Sequence, residues 1–163
     1  NNINNIIDIP RIAEIIAGLS VNRKVYLDII GGGEKKDELI DAAKKAGANV
    51  TDHGRIYDFK EKQEIIDSCH YGINIMKETV CIGLSMKSID YLEGSLPIIN
   101  NLNEDIGKII KDYNCGVNIY EEGWDWSIDD KDRVLEMKKN ARKAFEENFS
   151  EEKFEKSLEE VLL

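Results

Sequence analysis

At 163 residues the chain is about one domain in size, large enough to bury a sizeable core without disulfides or metals. Its hydrophobic share of 42% and charged share of 33% are those of a soluble globular protein, and no apolar run approaches the ~20 residues that cross a membrane. A net charge of -10 argues against a general nucleic-acid binder, because neutralising phosphates takes a basic face. Cys69, Cys81 and Cys115 lack CxxC or ligand-like spacing, so neither a disulfide framework nor a zinc site is indicated, and a reducing cytoplasm fits best. The opening NNINNIID has neither an initiator Met nor the regions of a signal peptide and reads as a piece of something longer.

Ile9, Ile12, Ala13, Ile16 and Leu19 recur at helical spacing behind a capping Asp8 and a first-turn Pro10, which predicts a helix over roughly 9 to 19. Val25 to Ile30 is β-branched and aromatic and stops at three glycines, the pattern of a mostly buried strand feeding a tight loop. A second helix turns Leu39, Ile40 and Ala43 inward and ends before Gly47. The rhythm repeats with a strand near Val50 to His53, a helix near Lys60 to Ser68 and a strand at Tyr71 to Met76. A helix near Lys87, a strand at Leu96 to Asn100, a helix after Asn103 and a strand at Gly116 to Tyr120 follow. Such alternation predicts an α/β fold, a Rossmann-like doubly wound parallel sheet covered on both faces by helices. The acidic stretch after 120 carries Trp124 and Trp126 and leads into two closing helices. Val134, Met137, Ala141, Ala144 and Phe145 form the apolar face of the first; Ser150 caps the second, whose stripe is Phe154, Leu158, Val161 and Leu162.

Ligands of open α/β sheets bind outside the carboxyl ends of the strands, so the loops there carry the candidate chemistry. Gly83 and Ser85 can open a helix whose first-turn amides attract an anion, and Lys87 adds charge at that mouth. Asp90, three residues on, faces the same side and could accept two hydrogen bonds from a ribose diol. Gly31, Gly32 and Gly33 precede Lys35 and Lys36, so backbone and cations could meet a phosphate, although the loop is neither a Walker A nor a full GxGxxG motif. His53 to Asp58 brings Arg55 to another strand end, and Lys77 with Glu78 stands in the loop before Gly83. The cations of these loops are expected on one rim, the local exception an acidic protein needs to hold a pyrophosphate. The bland alternatives are solvated lysines, a Lys77–Glu78 surface pair and a Lys87–Asp90 ion pair along a helix. With only His53 and His70, no nucleophile triad or metal cluster is indicated.

The segment MKSIDYLEGSLPIIN resembles the K-x-x-E-Y…G-x-P segment of the C-terminal donor-binding domain of GT-B glycosyltransferases, especially family 4-like bacterial enzymes of surface polysaccharide synthesis. The likeness extends, in the family's order, to LDIIGGGEKKDEL, VTDHGRIYDF and YGINIMKETVCIGLSMKS. The resemblance implies a hexosyltransferase using a UDP- or GDP-sugar, retaining and without an obligatory metal or other cofactor. Asp90 would hold the ribose, backbone at Arg55 and Ile56 would read the base, and Gly83, Leu84, Ser85 and Met86 would face the pyrophosphate. Lys77 and Glu78 would approach the donor sugar, and Lys77 or Lys87 would stabilise the leaving diphosphate. The glycan or lipid-linked acceptor would bind through an N-terminal domain, which with the first strand is not encoded here; peripheral membrane association would belong to the full-length enzyme, at the inner face. Two positions depart from the family: the ribose carboxylate is usually Glu, one methylene longer than Asp90, and Ile82 stands where the first Glu of a Glu-x7-Glu pair is expected. A nucleotide-sugar epimerase, a non-catalytic partner subunit of a polysaccharide assembly and an NAD-binding Rossmann domain are the competing readings.

Overall fold

The computed structural model describes residues 2–120, 130–151 and 153. Trp124, Trp126 and the apolar stripe from Phe154 to Leu162 lie outside the described residues. The elements alternate as predicted: α1 (Ile9–Ser20), β1 (Val25–Ile30), α2 (Lys36–Lys45), β2 (Ala48–Gly54), α3 (Phe59–Ser68), β3 (Gly72–Asn74), α4 (Met86–Glu93), β4 (Ile98–Asn100), α5 (Asp105–Tyr113), β5 (Gly116–Asn118) and α6 (Lys131–Asn148). All strand pairs are parallel, but they fall into two hydrogen-bonded sheets, β1-β2 and β3-β4-β5. Two compact units result, residues 1–68 with 75–81 and residues 69–74 with 82–163.

In the first unit α1 starts where local chemistry dictates. Asp8 accepts the Arg11 N–H at 3.0 Å, Pro10 occupies the first turn, and Ile9, Ile12, Ile15 and Ile16 are buried. Acidic Asp37 and Glu38 open α2 and basic Lys44 and Lys45 close it, each favourable to the helix dipole. Leu39 and Ala43 are buried, whereas Ile40, expected inward, is only half-buried. Asp58 accepts the Glu61 N–H at 2.9 Å and so caps α3. The strand expected at Val25 to Ile30 forms over those residues but is not mostly buried: only Ile29 is fully buried and Tyr26 is 67% exposed. Tyr26 and Asn49, which pair in register, share with Thr51 a face open to solvent. The N-terminal segment runs alongside, Ile3 donating to the Gly32 carbonyl and accepting from the Lys35 N–H.

The second unit is denser. β4 is buried throughout, and Leu92, Ile98, Ile106 and Met137 have almost no exposed surface. The strands are shorter than the apolar runs that announce them; Tyr71 to Met76 contributes three residues of ladder. Ladder pairing depends on the neighbouring strand, which the pattern of one segment does not contain. Asn114 takes the left-handed conformation that stops α5. Val134, Met137, Ala141 and Ala144 line the buried side of α6 as the periodicity predicts, while Phe145 is half-buried beneath the Arg142 guanidinium, 5.4 Å from its ring centre. Ser150 accepts the Lys153 N–H at 3.3 Å, the contact expected of a cap.

Candidate functional site

The N-terminus of α4 is the most distinctive polar feature. Ser85 has extended backbone and is the N-cap, its hydroxyl accepting the Ser88 N–H at 3.2 Å. Among the described residues the N–H groups of Met86 and Lys87 meet no acceptor, as the first turn of a helix leaves them. Lys87 follows two residues after the cap, half-buried and without a carboxylate partner among the described residues. Removal from water, uncompensated by a counter-ion, pulls its ammonium down to about 8. The helical Lys87–Asp90 ion pair is therefore not formed. An ammonium short of water, carried by the same first turn as two free amides, is a place where an anion would supply what the protein lacks.

Asp90 lies one turn further on, half-buried, in the same helix. The next residue, Tyr91, is half-buried, its hydroxyl donating to the Ile73 carbonyl at 3.4 Å; loss of water around that hydroxyl raises its pKa and keeps it out of acid–base chemistry. Gly83 does not open the helix as expected. It lies two residues before the cap, its carbonyl accepts the Ile106 N–H at 3.0 Å, and a Cβ there would fall 2.8 Å from Asp105 Oδ2. Its smallness serves the start of α5. Leu84 is half-buried and Met86 exposed.

The other candidates belong to the first unit. The glycine loop has structural occupants: Gly31 donates to the Gly54 carbonyl, and Gly33, at φ 141°, is pressed against the backbone of Ile3 so closely that no side chain fits. Arg55 lies over Gly32, its Nε 3.2 Å from where a Cβ would be, and has no ion-pair partner among the described residues. Loop and arginine are thus brought together as the sequence placed them, with Ile56 half-buried beside them. Lys36 is held by Asp52 at 2.7 Å, which in turn keeps the Asp52 carboxyl below its ordinary range, and Lys35 is held by Glu38. Neither lysine is a free cation. Lys77 and Glu78 are exposed and not paired with one another. His53 lies inside β2, half-buried, its Nε2 2.8 Å from Asp28.

Sequence reasoning missed the most ordered polar group in the second unit, the buried side chains of Asn74, Asn100 and Asn118. The signal was available, since each is the last residue of a strand. Among the described residues no group of three or more His, Cys, Asp or Glu gathers as a metal site, and no helix is long and apolar enough to cross a membrane.

No protein-family model and no curated protein matches the sequence. Among solved structures, WaaG, a glycosyltransferase involved in lipopolysaccharide biosynthesis, matches with a TM-score of 0.64 and 16% identity over 91% of this chain and 43% of WaaG. A mutant of S. aureus TarM in complex with Fondaparinux, alpha-GlcNAc-glycerol and UDP matches with a TM-score of 0.68 and 17% identity over 97% of this chain and 34% of TarM. The chain spans less than half the length of either. Likeness at this identity is likeness of fold: the chain has the Rossmann-like α/β fold of one half of a GT-B glycosyltransferase.

Proposed function

We propose that the chain is the C-terminal, donor-binding half of a glycosyltransferase of hexosyltransferase type, a single nucleotide-sugar-binding domain of a two-domain enzyme. The observation that carries this reading is Lys87, a half-buried residue without a counter-ion in the first turn of α4, whose leading amides are free. A diphosphate satisfies all three groups at once. Asp90 then holds the ribose hydroxyls one turn on. The UDP bound in the TarM complex supports a UDP-sugar as the donor.

In this reading the bond from the anomeric carbon to the diphosphate breaks and the leaving oxygen keeps the electron pair. The acceptor oxygen bonds to the anomeric carbon on the same face, and its proton passes to the departing diphosphate. Charge grows on the diphosphate, where helix amides with Lys87 stabilise it by fixed electrostatics, so that no metal is obligatory. The glycan or lipid-linked acceptor comes from the N-terminal domain, at the cytoplasmic face of the membrane, where the full-length enzyme associates peripherally. The first strand belongs to the same proposal. Beyond an isolated parallel bridge between Asn2 and Gly32, β1 has no partner on the edge away from β2 among the described residues, and a parallel strand preceding that bridge would continue along it.

Titration of the chain with UDP, GDP, ADP, CMP and NAD, followed by amide chemical shifts, tests the reading. It predicts saturable shifts at Met86, Lys87 and Ser88 with one nucleoside diphosphate, lost in Asp90→Ala. Silence toward all five would favour a non-catalytic partner subunit, the alternative that Ile82, in place of a carboxylate, supports.

A further inference from the structure

Asn74, Asn100 and Asn118 end β3, β4 and β5 in direct register, all three buried. Their amides form one hydrogen-bonded row: Asn74 Nδ2 donates to Asn100 Oδ1 at 2.9 Å, and Asn100 Nδ2 donates to Asn118 Oδ1 at 2.9 Å. The direction of the row is set by the backbone. Leu102 donates its N–H to Asn100 Oδ1 at 3.2 Å and accepts from Asn100 Nδ2 at 2.7 Å, so the central amide has one orientation only. Asn118 Nδ2 donates to the Gly107 carbonyl at 2.9 Å, anchoring the far end on α5.

This polarity reaches α4. With its Nδ2 committed to Asn100, Asn74 offers Oδ1 to the Ser85 hydroxyl, 3.3 Å away. Ser85 has one hydroxyl proton. Given to Asn74, it leaves both lone pairs free to accept from the Ser88 N–H at 3.2 Å and from the Ser88 hydroxyl at 2.8 Å. The cap is therefore oriented from within the sheet. A row of buried amides is costly unless every member is satisfied, and apolar side chains would fill the same core without that demand. What the row adds is a defined direction at Ser85.

We propose that Asn74, Asn100 and Asn118 are positioning residues that hold the Ser85 hydroxyl, and through it present the Met86 and Lys87 amides and the Lys87 ammonium to a diphosphate. The proposal rests on the donor-binding reading of this turn.

A double-mutant cycle of Asn74→Leu and Ser85→Ala on the full chain tests it, with inorganic pyrophosphate as the probe and amide hydrogen exchange at Ser88 as a ligand-independent readout. Each single variant is expected to weaken pyrophosphate binding and accelerate Ser88 exchange about tenfold, the upper range for loss of a cap, and the double variant to do no worse than either. Additive losses, or an Asn74→Leu chain that binds pyrophosphate and protects Ser88 like wild type, would overturn it. If Asn74→Leu does not fold, Asn118→Leu takes its place in the same cycle, with the same criteria. If wild type itself ignores pyrophosphate, the donor-binding reading falls alone, and Ser88 exchange still decides whether the row orients the cap.

Discussion

β1 and β2 run for six and seven residues yet turn Tyr26, Asn49 and Thr51 to water, whereas β3, β4 and β5 pair over three residues each and end in buried amides. The polar groups of the first sheet are satisfied near solvent, Lys36 by Asp52 and His53 by Asp28. Those of the second are satisfied away from solvent, by one another, by the Ser85 hydroxyl and by the backbone of Leu102 and Gly107. Ladder length therefore says little about where a structure is exacting. An interior group that loses its partner has no substitute for it, while water takes the partner's place at the surface.

The sharpest way to break this comparison is Asn100→Leu. It strands Asn74 Nδ2, Asn118 Oδ1 and both backbone groups of Leu102, and the free energy of urea unfolding is expected to fall by on the order of 3 kcal/mol. A loss under about 1 kcal/mol would mean that the row is not a rigid unit.

Lys87→Met is expected to weaken pyrophosphate binding by about tenfold or more at pH 7 while leaving the urea midpoint unchanged or raising it, because an uncompensated charge is removed. The pH dependence has a definite sign. Burial lowers the pKa of folded Lys87 from 10.5 to about 8, so its charge counts fully against folding below pH 8, and this cost fades as pH rises from 8 towards 10.5. Pyrophosphate needs the charged form. Its affinity is expected to fall about tenfold between pH 7 and pH 9 in isothermal titration, and the Lys87→Met chain should lack that dependence.

In the first unit Asp8→Ala removes the cap of α1 and should cost about 1 kcal/mol by urea unfolding. The smallest effect is expected at Asn49→Leu, on the open face of β2. It should stay within about 0.5 kcal/mol of wild type, and a larger change would show that this face is covered.

Much of this was legible before any coordinates. The alternation of apolar runs and helical spacing placed every described strand and helix in order, and Asp8 and Ser85 begin helices by chemistry confined to a few residues. The α4 turn was readable for the same reason: cap, lysine and carboxylate all lie within six positions. Lys36 was misleading because its partner, Asp52, is sixteen residues away, and Gly33 because what presses on it is Ile3. The Lys87–Asp90 pair suggested by an i,i+3 spacing does not form, since spacing brings two residues to one helix face without deciding which solvent or neighbour each side chain prefers.

By itself, then, the sequence determined the α/β alternation, the helix caps and the family-like segment around Lys87 and Asp90, all of them properties of contiguous residues. Tertiary structure alone decided that the parallel strands pair as two sheets, that the lysines of the glycine loop are already neutralised, and that three asparagines separated by 26 and 18 residues line up in one buried row. The reason is physical. Hydrogen bonds across a parallel sheet join residues that only the crossover helices bring side by side, and whether a buried amide is costly or useful depends on partners found there.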